Sequence, residues 1–168
     1  MYAASIAVDD VITALGAFLA PFIPTGKIIR AQVNRVPMPN DPFIELTELL
    51  TVDLQKPWVS YDPARAVGML HGTARIDVQI DFYAPNASEY CRAVKTALPS
   101  AWGVQQFPKN IVPLYCSDGI QAPMIDAQKQ WESRWTLTAS MQYNPTIEVP
   151  QDYSYALSLT PVPPVDTP

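Results

Sequence analysis

A chain of 168 residues with 16% charged positions and a formal net charge of −5 is long enough to bury one core, and its low charge favours a surface that partners cover. The acidic balance excludes a protein that grips nucleic-acid phosphates with clustered Lys and Arg, but it is compatible with a surface past which DNA slides. Because the chain has no apolar run of about 18 residues and no basic N-terminal signal region, we expect no membrane span and a cytoplasmic site of synthesis and use.

The first part of the chain predicts one amphipathic helix followed by two strands. Strands are predicted over 27–36 and 43–56, and "KPWVSYDPAR" after them is expected to be a loop or a bent strand edge. The helix is predicted over about 6–20 from apolar residues at helical spacing, namely Val8, Val11, Ile12, Leu15, Phe18, Leu19 and Phe22. The second strand places apolar residues on one face, namely Ile44, Leu46, Leu50, Val52 and Leu54.

Alternating patterns dominate the rest of the chain. Residues 68–84 alternate between apolar and polar side chains, which predicts one long strand. A helix over about 87–98 should begin with Asn86 as its N-cap. Residues 100–127 predict one or two short strands around a turn. Residues 131–143 predict a further long strand, whose apolar side chains Trp131 and Trp135 should lie in the core.

This order of elements predicts an α+β fold with a mainly antiparallel, mixed β-sheet and two α-helices packed on one face. The polar faces of the long strands should look away from the helices, towards water or another subunit. We expect a single domain over residues 1–148. Residues 149–168 should form an extended, proline-rich C-terminal arm that docks as an edge strand, preferably on a neighbouring subunit.

Two short motifs do not predict catalysis. "PTGKII" lacks the Gly five positions before Gly26 and the Ser or Thr after Lys27 that a phosphate-binding loop needs. His71 is the only histidine, and no cysteine or carboxylate stands near it at the spacing of a metal site or a catalytic triad. We therefore assign no catalytic, cofactor-binding or metal-binding residue.

The remaining polar and sulfur-containing candidates have structural interpretations. Asp77 and Asp81 would lie about 13 Å apart on one strand, too far to share an ion or a proton. A salt bridge between Asp77 and Arg75, two positions away, is the favoured interpretation. Cys91 and Cys116 are not in a CxxC motif and are expected to be small apolar side chains.

Candidate interface residues are large side chains in proline-flanked segments. Trp58 and Tyr61 stand between two prolines. In the C-terminal arm the candidates are Tyr153, Tyr155, Leu157 and Leu159, which alternate with small or polar residues. Such side chains either anchor a protein interface or pack locally, and both interpretations remain open.

Three stretches, "IDVQIDFYAPNASEYCRAV", "PLYCSDGIQAPMIDAQKQWESRWTLTASMQYNP" and "VPQDY", resemble in composition and order the neck or tail-terminator proteins of tailed bacteriophages. The resemblance covers about residues 7–155. It implies a structural protein of the virion, assembled in the host cytoplasm, that forms a homohexameric ring on the tail tube and joins the tail to the neck. DNA would pass through the ring.

The partners implied by this resemblance are other copies of the chain, the tail tube, the head-completion or connector protein and, in contractile tails, the sheath protein. DNA would pass without specific binding, and no membrane, cofactor or metal is implied. A head-completion stopper, connector, tube or baseplate protein is the alternative within the same class. An enzyme or a small-ligand-binding domain is the alternative from another class.

Overall fold

The structure is a computed structural model that describes residues 2–23, 26–31, 39, 42–122, 124–125 and 131–151. Its helices are α1 (Val8–Leu19), which continues into a 3-10 turn (Ala20–Phe22), α2 (Ala87–Ala97) and α3 (Ala101–Val104). Its strands are β1 (Lys27–Arg30), β2 (Phe43–Asp53), β3 (Trp58–Asp62), β4 (Val67–His71), β5 (Ala74–Tyr83), β6 (Ile111–Cys116), β7 (Ile120–Gln121), β8 (Met124–Ile125), β9 (Trp131–Glu132), β10 (Arg134–Tyr143) and β11 (Thr146–Pro150).

The main sheet confirms the predicted α+β fold with a mixed, mainly antiparallel sheet. Its strand order is β1-β2-β5-β10-β6, and β7 pairs with β10. The β1–β2 pair is parallel and the other pairs are antiparallel. Strands β5 and β10 occupy the centre because their alternating pattern supplies one fully apolar face, which must be covered.

Helices α1 and α2 cover that apolar face, so both lie on the same side of the main sheet. The core is continuous from the helices to the central strands, and its members are Val11, Leu15, Leu19, Val94, Ile76, Val78, Ile80, Phe82, Leu137 and Met141, among others. Trp135 packs against this core but is only partly buried. The side chain of Trp131, the other predicted core tryptophan, lies outside the described residues.

The helix ends differ in part from the predictions. Helix α1 begins at Val8, two residues after the predicted start, and the Asp10 carboxylate accepts the Ala7 backbone N–H at 2.7 Å. The prediction of a side-chain cap by Asn86 is wrong, because that side chain makes no capping hydrogen bond. The sequence did not predict α3, which begins at Ser100, whose hydroxyl accepts the Gly103 N–H at 3.0 Å.

Strand β2 contains a bulge that corrects the predicted face of residues 43–56. Glu48 pairs with Val78 but Leu50 pairs with Asp77, so Leu49 is an additional residue. One additional residue exchanges the two faces of a strand. Leu50 therefore lies on the opposite face of β2 from Ile44 and Leu46, and it is 50% exposed. The predicted single apolar face is wrong beyond the bulge.

A second sheet has the order β11-β4-β3, and we call these strands the finger. Along the chain, β11 follows β10, β4 precedes β5, and β3 follows β2. The three finger strands therefore have the same lateral order as these three strands of the main sheet. Short segments at 54–57, 72–73 and 144–145 separate each finger strand from its main-sheet strand, and they lie side by side between the two sheets. The predicted single strand over 68–84 is thus two strands, and "KPWVSYDPAR" contains β3 instead of a loop.

The remaining boundaries refine the other predictions. The strand predicted over 27–36 is described over Lys27–Arg30, and 32–38 lie outside the described residues. The strand predicted over 131–143 is divided between β9 and β10. Val149 and Pro150, assigned to the C-terminal arm, are the last residues of β11 and pair with Gly68 and Val67 of β4. None of the helices that the structure describes has the length and apolar character needed to cross a bilayer.

Candidate interaction site

The finger presents an aromatic side chain that is both exposed and held in place. The Trp58 side chain is 53% exposed, and its ring stacks on the His71 imidazole with the centroids 3.9 Å apart. The two nitrogens of that imidazole lie within hydrogen-bond distance of hydroxyls, Nε2 at 2.8 Å from Ser60 and Nδ1 at 3.2 Å from Thr146. An ordered aromatic group with one uncovered face loses little entropy on binding, so Trp58 suits an interface anchor.

The opposite face of the finger is apolar. Val59 is 59% exposed and Tyr61 is 36% exposed. The strand pairing places Val59 beside Leu70 and Ile147, and Tyr61 beside Gly68 and Val149. Apolar side chains thus line this face across all three strands. The finger thus exposes the aromatic side chain of Trp58 on one face and the apolar side chain of Val59 on the other.

Of the predicted interface residues, the structure brings Trp58 and Tyr61 onto one strand but onto opposite faces of it. Tyr153, Tyr155, Leu157 and Leu159 lie outside the described residues. The prediction did not include Val59, although its place in a short strand between two prolines could have indicated it. It also did not include the exposed apolar residues around the end of β2, namely Leu49, Leu50, Val52 and Leu54.

The face of the main sheet away from the helices, which we call the open face, carries a buried ion pair. The Asp81 side chain is 1% exposed and the Arg134 side chain is 26% exposed. Arg134 donates from Nη2 to Asp81 Oδ2 at 2.9 Å and from Nε to Oδ1 at 3.2 Å. Gln79 donates to the same carboxylate at 2.7 Å. Three donors thus satisfy the oxygens of this buried carboxylate.

Aromatic side chains shield this ion pair at one end of the open face. The Tyr83 ring stacks on Phe43 with the centroids 4.3 Å apart, and the Arg134 guanidinium lies 5.4 Å from the Tyr83 centroid. The Tyr83 hydroxyl donates to Glu45 at 3.3 Å. Burial is the main cause that raises the pKa of Tyr83 to about 12. The phenol is therefore neutral across the physiological pH range.

A second network crosses the middle of the open face and confirms the predicted salt bridge between Arg75 and Asp77. Arg75 Nη2 lies 3.2 Å from Asp77 Oδ2, and its Nη1 donates to the Tyr115 hydroxyl at 3.3 Å. Ser140 donates to the other oxygen of Asp77 at 2.6 Å. The open face of β2, β5 and β10 thus carries Glu45, Asp77 and Asp81 against Arg75 and Arg134, which makes it nearly neutral.

These contacts support neither triad chemistry nor metal binding by known patterns. The Ser60–His71 pair has a hydroxyl, that of Thr146, at the second imidazole nitrogen where a triad has a carboxylate. Among the residues that the structure describes, no three His, Cys, Asp or Glu residues are grouped closely enough to hold a metal ion. Cys91 and Cys116 are free thiols, and burial is the main cause that raises the pKa of each, that of Cys116 to about 11.

The chain matches a known protein family in sequence and a known structure in fold. A family model described as "Phage neck terminator protein" matches residues 9–163. None of the curated proteins matches the chain. The structure is similar to a chain described as "PVC sheath/tube terminator in extended state", from a cryo-EM structure of an extracellular contractile injection system. The TM-score is 0.60 with 14% sequence identity, which supports a shared fold alone. The alignment covers 96% of this chain but 64% of that one.

Proposed function

Because this chain belongs to the phage neck terminator protein family, we propose that it is the subunit of a ring that closes the finished end of a phage tail. The observation that carries the proposal is the match of that family over residues 9–163. In this role the chain is a structural, non-catalytic component of the virion, added to the tail in the host cytoplasm.

The ring proposed here is a homohexamer with one repeated contact. A head-to-tail contact of this kind uses two different patches on every subunit. The exposed Trp58 and Val59 of the finger are suited to one patch. Tyr115 and Ile120, on β6 and β7 at the opposite edge of the main sheet from β1, are 52% and 62% exposed and are suited to the other. Exposed apolar groups at separate places support a contact in which each patch meets a different patch.

We assign the tail tube as the partner on one side of the ring, together with the sheath protein if the tail is contractile. The description of the similar protein as a sheath/tube terminator supports these partners. On the other side we assign the head-completion or connector protein, which rests on the family resemblance. A head-completion stopper or a tube or baseplate protein would bind a different combination of these components.

We further propose that DNA passes through the ring without specific binding. The net charge of −5 and the near-neutral open face support this, because a wall without excess Lys and Arg does not retain phosphate groups. Binding of double-stranded DNA at physiological salt should therefore be undetectable at micromolar protein. A salt-dependent complex under these conditions would contradict an inert channel.

Reconstitution on purified tail tubes tests the assignment. The mass of the isolated chain is measured by light scattering, and the chain is then incubated with tubes and examined by electron microscopy. We expect a ring of about six 18.6 kDa subunits on one end of each tube, and tubes that then accept heads. Binding to heads but not to tubes would instead identify a stopper or connector. A monomer that binds neither would refute the proposed function.

A further inference from the structure

The finger and the main sheet do not share a hydrophobic core. Among the residues that the structure describes, the members of the core lie in the helices, in the main sheet and in the segments that flank them, and none lies in β3, β4 or β11. Extensive contacts of the described finger strands are made only with one another. Two bodies of one chain without a large apolar interface are free to change their relative orientation. The orientation of the finger therefore depends on the segments that join it to the main sheet.

In the described part of the chain, four segments cross side by side between the main sheet and the finger. Three of them are the connections given above, and the N-terminal segment adds the fourth, because Ile6 packs against the core whereas Ala4 forms a β-bridge with Ile147 of β11. The Ser5 N–H donates to the Thr146 carbonyl oxygen at 2.8 Å, and the Thr146 N–H donates to the Ser5 hydroxyl oxygen at 2.9 Å. We call this row of crossings the waist, and its members are residues 5–6, 144–145, 72–73 and 54–57.

Backbone hydrogen bonds run along the waist. The Gly72 N–H donates to the Pro145 carbonyl oxygen at 2.9 Å, and the Leu54 N–H donates to the Thr73 carbonyl oxygen at 2.9 Å. Hydrogen bonds between antiparallel strands are perpendicular to the strands, so these bonds lie along the row of crossings. A tilt of the finger about this row changes backbone dihedral angles in the waist without lengthening the bonds, whereas a sideways shear would break them. The finger therefore has one soft direction of motion.

A cleft between the finger and the open face leaves room for such a tilt. Its volume is about 310 Å³, and it is lined by Trp58 and His71 of the finger and by Gln142 of the open face, among others. Gln142 pairs with Arg75 of β5, whose side chain belongs to the network on the open face. Because the walls of the cleft belong to two bodies, a tilt of the finger towards the open face narrows the cleft and carries the Trp58 ring towards Gln142.

We propose that the finger is a hinged unit, which tilts as one body about the waist and thereby opens and closes the cleft beneath Trp58. Two features keep the finger rigid during this motion. Trp58 remains stacked on His71, and at the tip of the finger, where β3 turns into β4, Arg65 contacts both Asp62 of β3 and Glu148 of β11 at 2.9 Å. The hinge lets the Trp58 face meet a partner at more than one angle. It is a property of the single subunit, so the inference does not depend on the proposed ring.

Pulsed electron paramagnetic resonance on the full-length protein tests the hinge. Spin labels are attached to Ala64→Cys at the exposed tip of the finger and to Ala93→Cys on the exposed side of α2. Labels at Thr51→Cys in β2 and at Ala93→Cys form the control pair, because both positions lie outside the finger. A tilt of about 20° moves the tip of a finger strand about 17 Å long by about 6 Å, so we expect the distance distribution between positions 64 and 93 to be at least about twofold wider than that of the control pair. Wild-type protein treated with the same label controls for Cys91 and Cys116.

A substitution that fills the cleft tests the direction of the tilt. Gln142→Trp places a large side chain on the open-face wall of the cleft, so the distance distribution between positions 64 and 93 should narrow towards the width of the control pair. Thr138→Trp is the matched control, because Thr138 lies on the same face of β10 but about 13 Å farther from the waist. It should leave the width of the distribution unchanged. Equal widths for the two tryptophan variants would overturn a tilt towards the open face.

Hydrogen exchange measured by NMR on the wild-type protein distinguishes a tilt from local unfolding of the finger. A tilt about the waist preserves the bonds donated by the Gly72 and Leu54 N–H groups, so both amides should exchange at least about tenfold more slowly than in the unfolded chain. Exchange of both amides at the unfolded rate, or distance distributions of equal width for the two labelled pairs, would overturn the hinge. A wide distribution with protected amides would support the hinge even if no ring formed, so this inference and the proposed function fail separately.

Discussion

Replacement of Asp81 by Asn should strongly destabilise the fold, because it removes the negative charge from a buried ion pair. Removing one partner of a fully buried pair costs about 3–5 kcal/mol. The Arg134 side chain keeps 26% of its exposure and can recover some hydration, so we expect a lower cost of about 2–4 kcal/mol. The Asn amide also offers one acceptor and an NH2 donor to a position that now accepts from Arg134 and Gln79.

Urea unfolding followed by far-UV circular dichroism measures this loss. With an m value of about 2 kcal/mol/M, a loss of about 3 kcal/mol lowers the midpoint by about 1.5 M. All variants are compared at one protein concentration, because assembly changes the apparent stability. Asp62→Asn is the matched control, since Asp62 forms an exposed ion pair with Arg65 and its replacement should change the urea midpoint only slightly.

A double-substitution cycle with Arg134→Gln tests whether the loss comes from the pair itself. The two substitutions together should cost less than the sum of the single ones, because each single variant leaves one partner buried without its counterpart. Equal midpoints for Asp81→Asn and Asp62→Asn, or strictly additive losses in the cycle, would refute the role assigned to the ion pair.

Four further predictions concern single side chains. Trp135→Ala should cost about 2–3 kcal/mol in urea unfolding, less than the usual loss for a fully buried tryptophan, because the side chain is only partly buried; a loss above about 4 kcal/mol would contradict this placement. Ala66→Gly should stabilise the fold by up to about 1 kcal/mol, because Ala66 has φ 53° in the finger turn, and destabilisation would argue against that backbone conformation. Because folding raises the pKa of Tyr83 from 10.0 to about 12, the neutral phenol contributes its full stability below pH 10.0 and loses it as the pH rises towards about 12. Tyr83→Phe should therefore lose less stability than the wild type between these pH values, and identical melting curves of the two proteins at high pH would contradict this. Cys91 and Cys116 should react with a disulfide reagent much more slowly in the folded than in the urea-unfolded chain at pH 8, since burial raises both pKa values, and equal rates would contradict their burial.

The sequence alone determined the helices α1 and α2 and the faces of the central strands. Period-3.6 spacing of Val11 and Leu15 and period-2 spacing through Ile76 and Ile80 each describe one face of one element, and these apolar side chains are buried in the core as predicted. The Arg75–Asp77 pair was predictable for the same reason, because its partners stand two positions apart on one strand.

The tertiary structure alone decided which strands are neighbours and where they are interrupted. Alternation continues across Gly72, so the pattern over 68–84 could not distinguish one long strand from β5 and the finger strand β4. Likewise, the bulge at Leu49 changes the face of every later residue in β2 without altering the composition of the segment.

The candidate interaction site shows the same division. Sequence context selected Trp58 and Tyr61 as large side chains between prolines, but their placement on opposite faces of an edge strand depends on the pairing of β3 with β4. The Asp81–Arg134 pair joins residues separated by 53 positions and exists because β5 and β10 are adjacent. Side-chain periodicity is a local property of the chain, whereas edges and cross-strand partners are created only when distant strands pair, which is why the tertiary structure was needed to locate them.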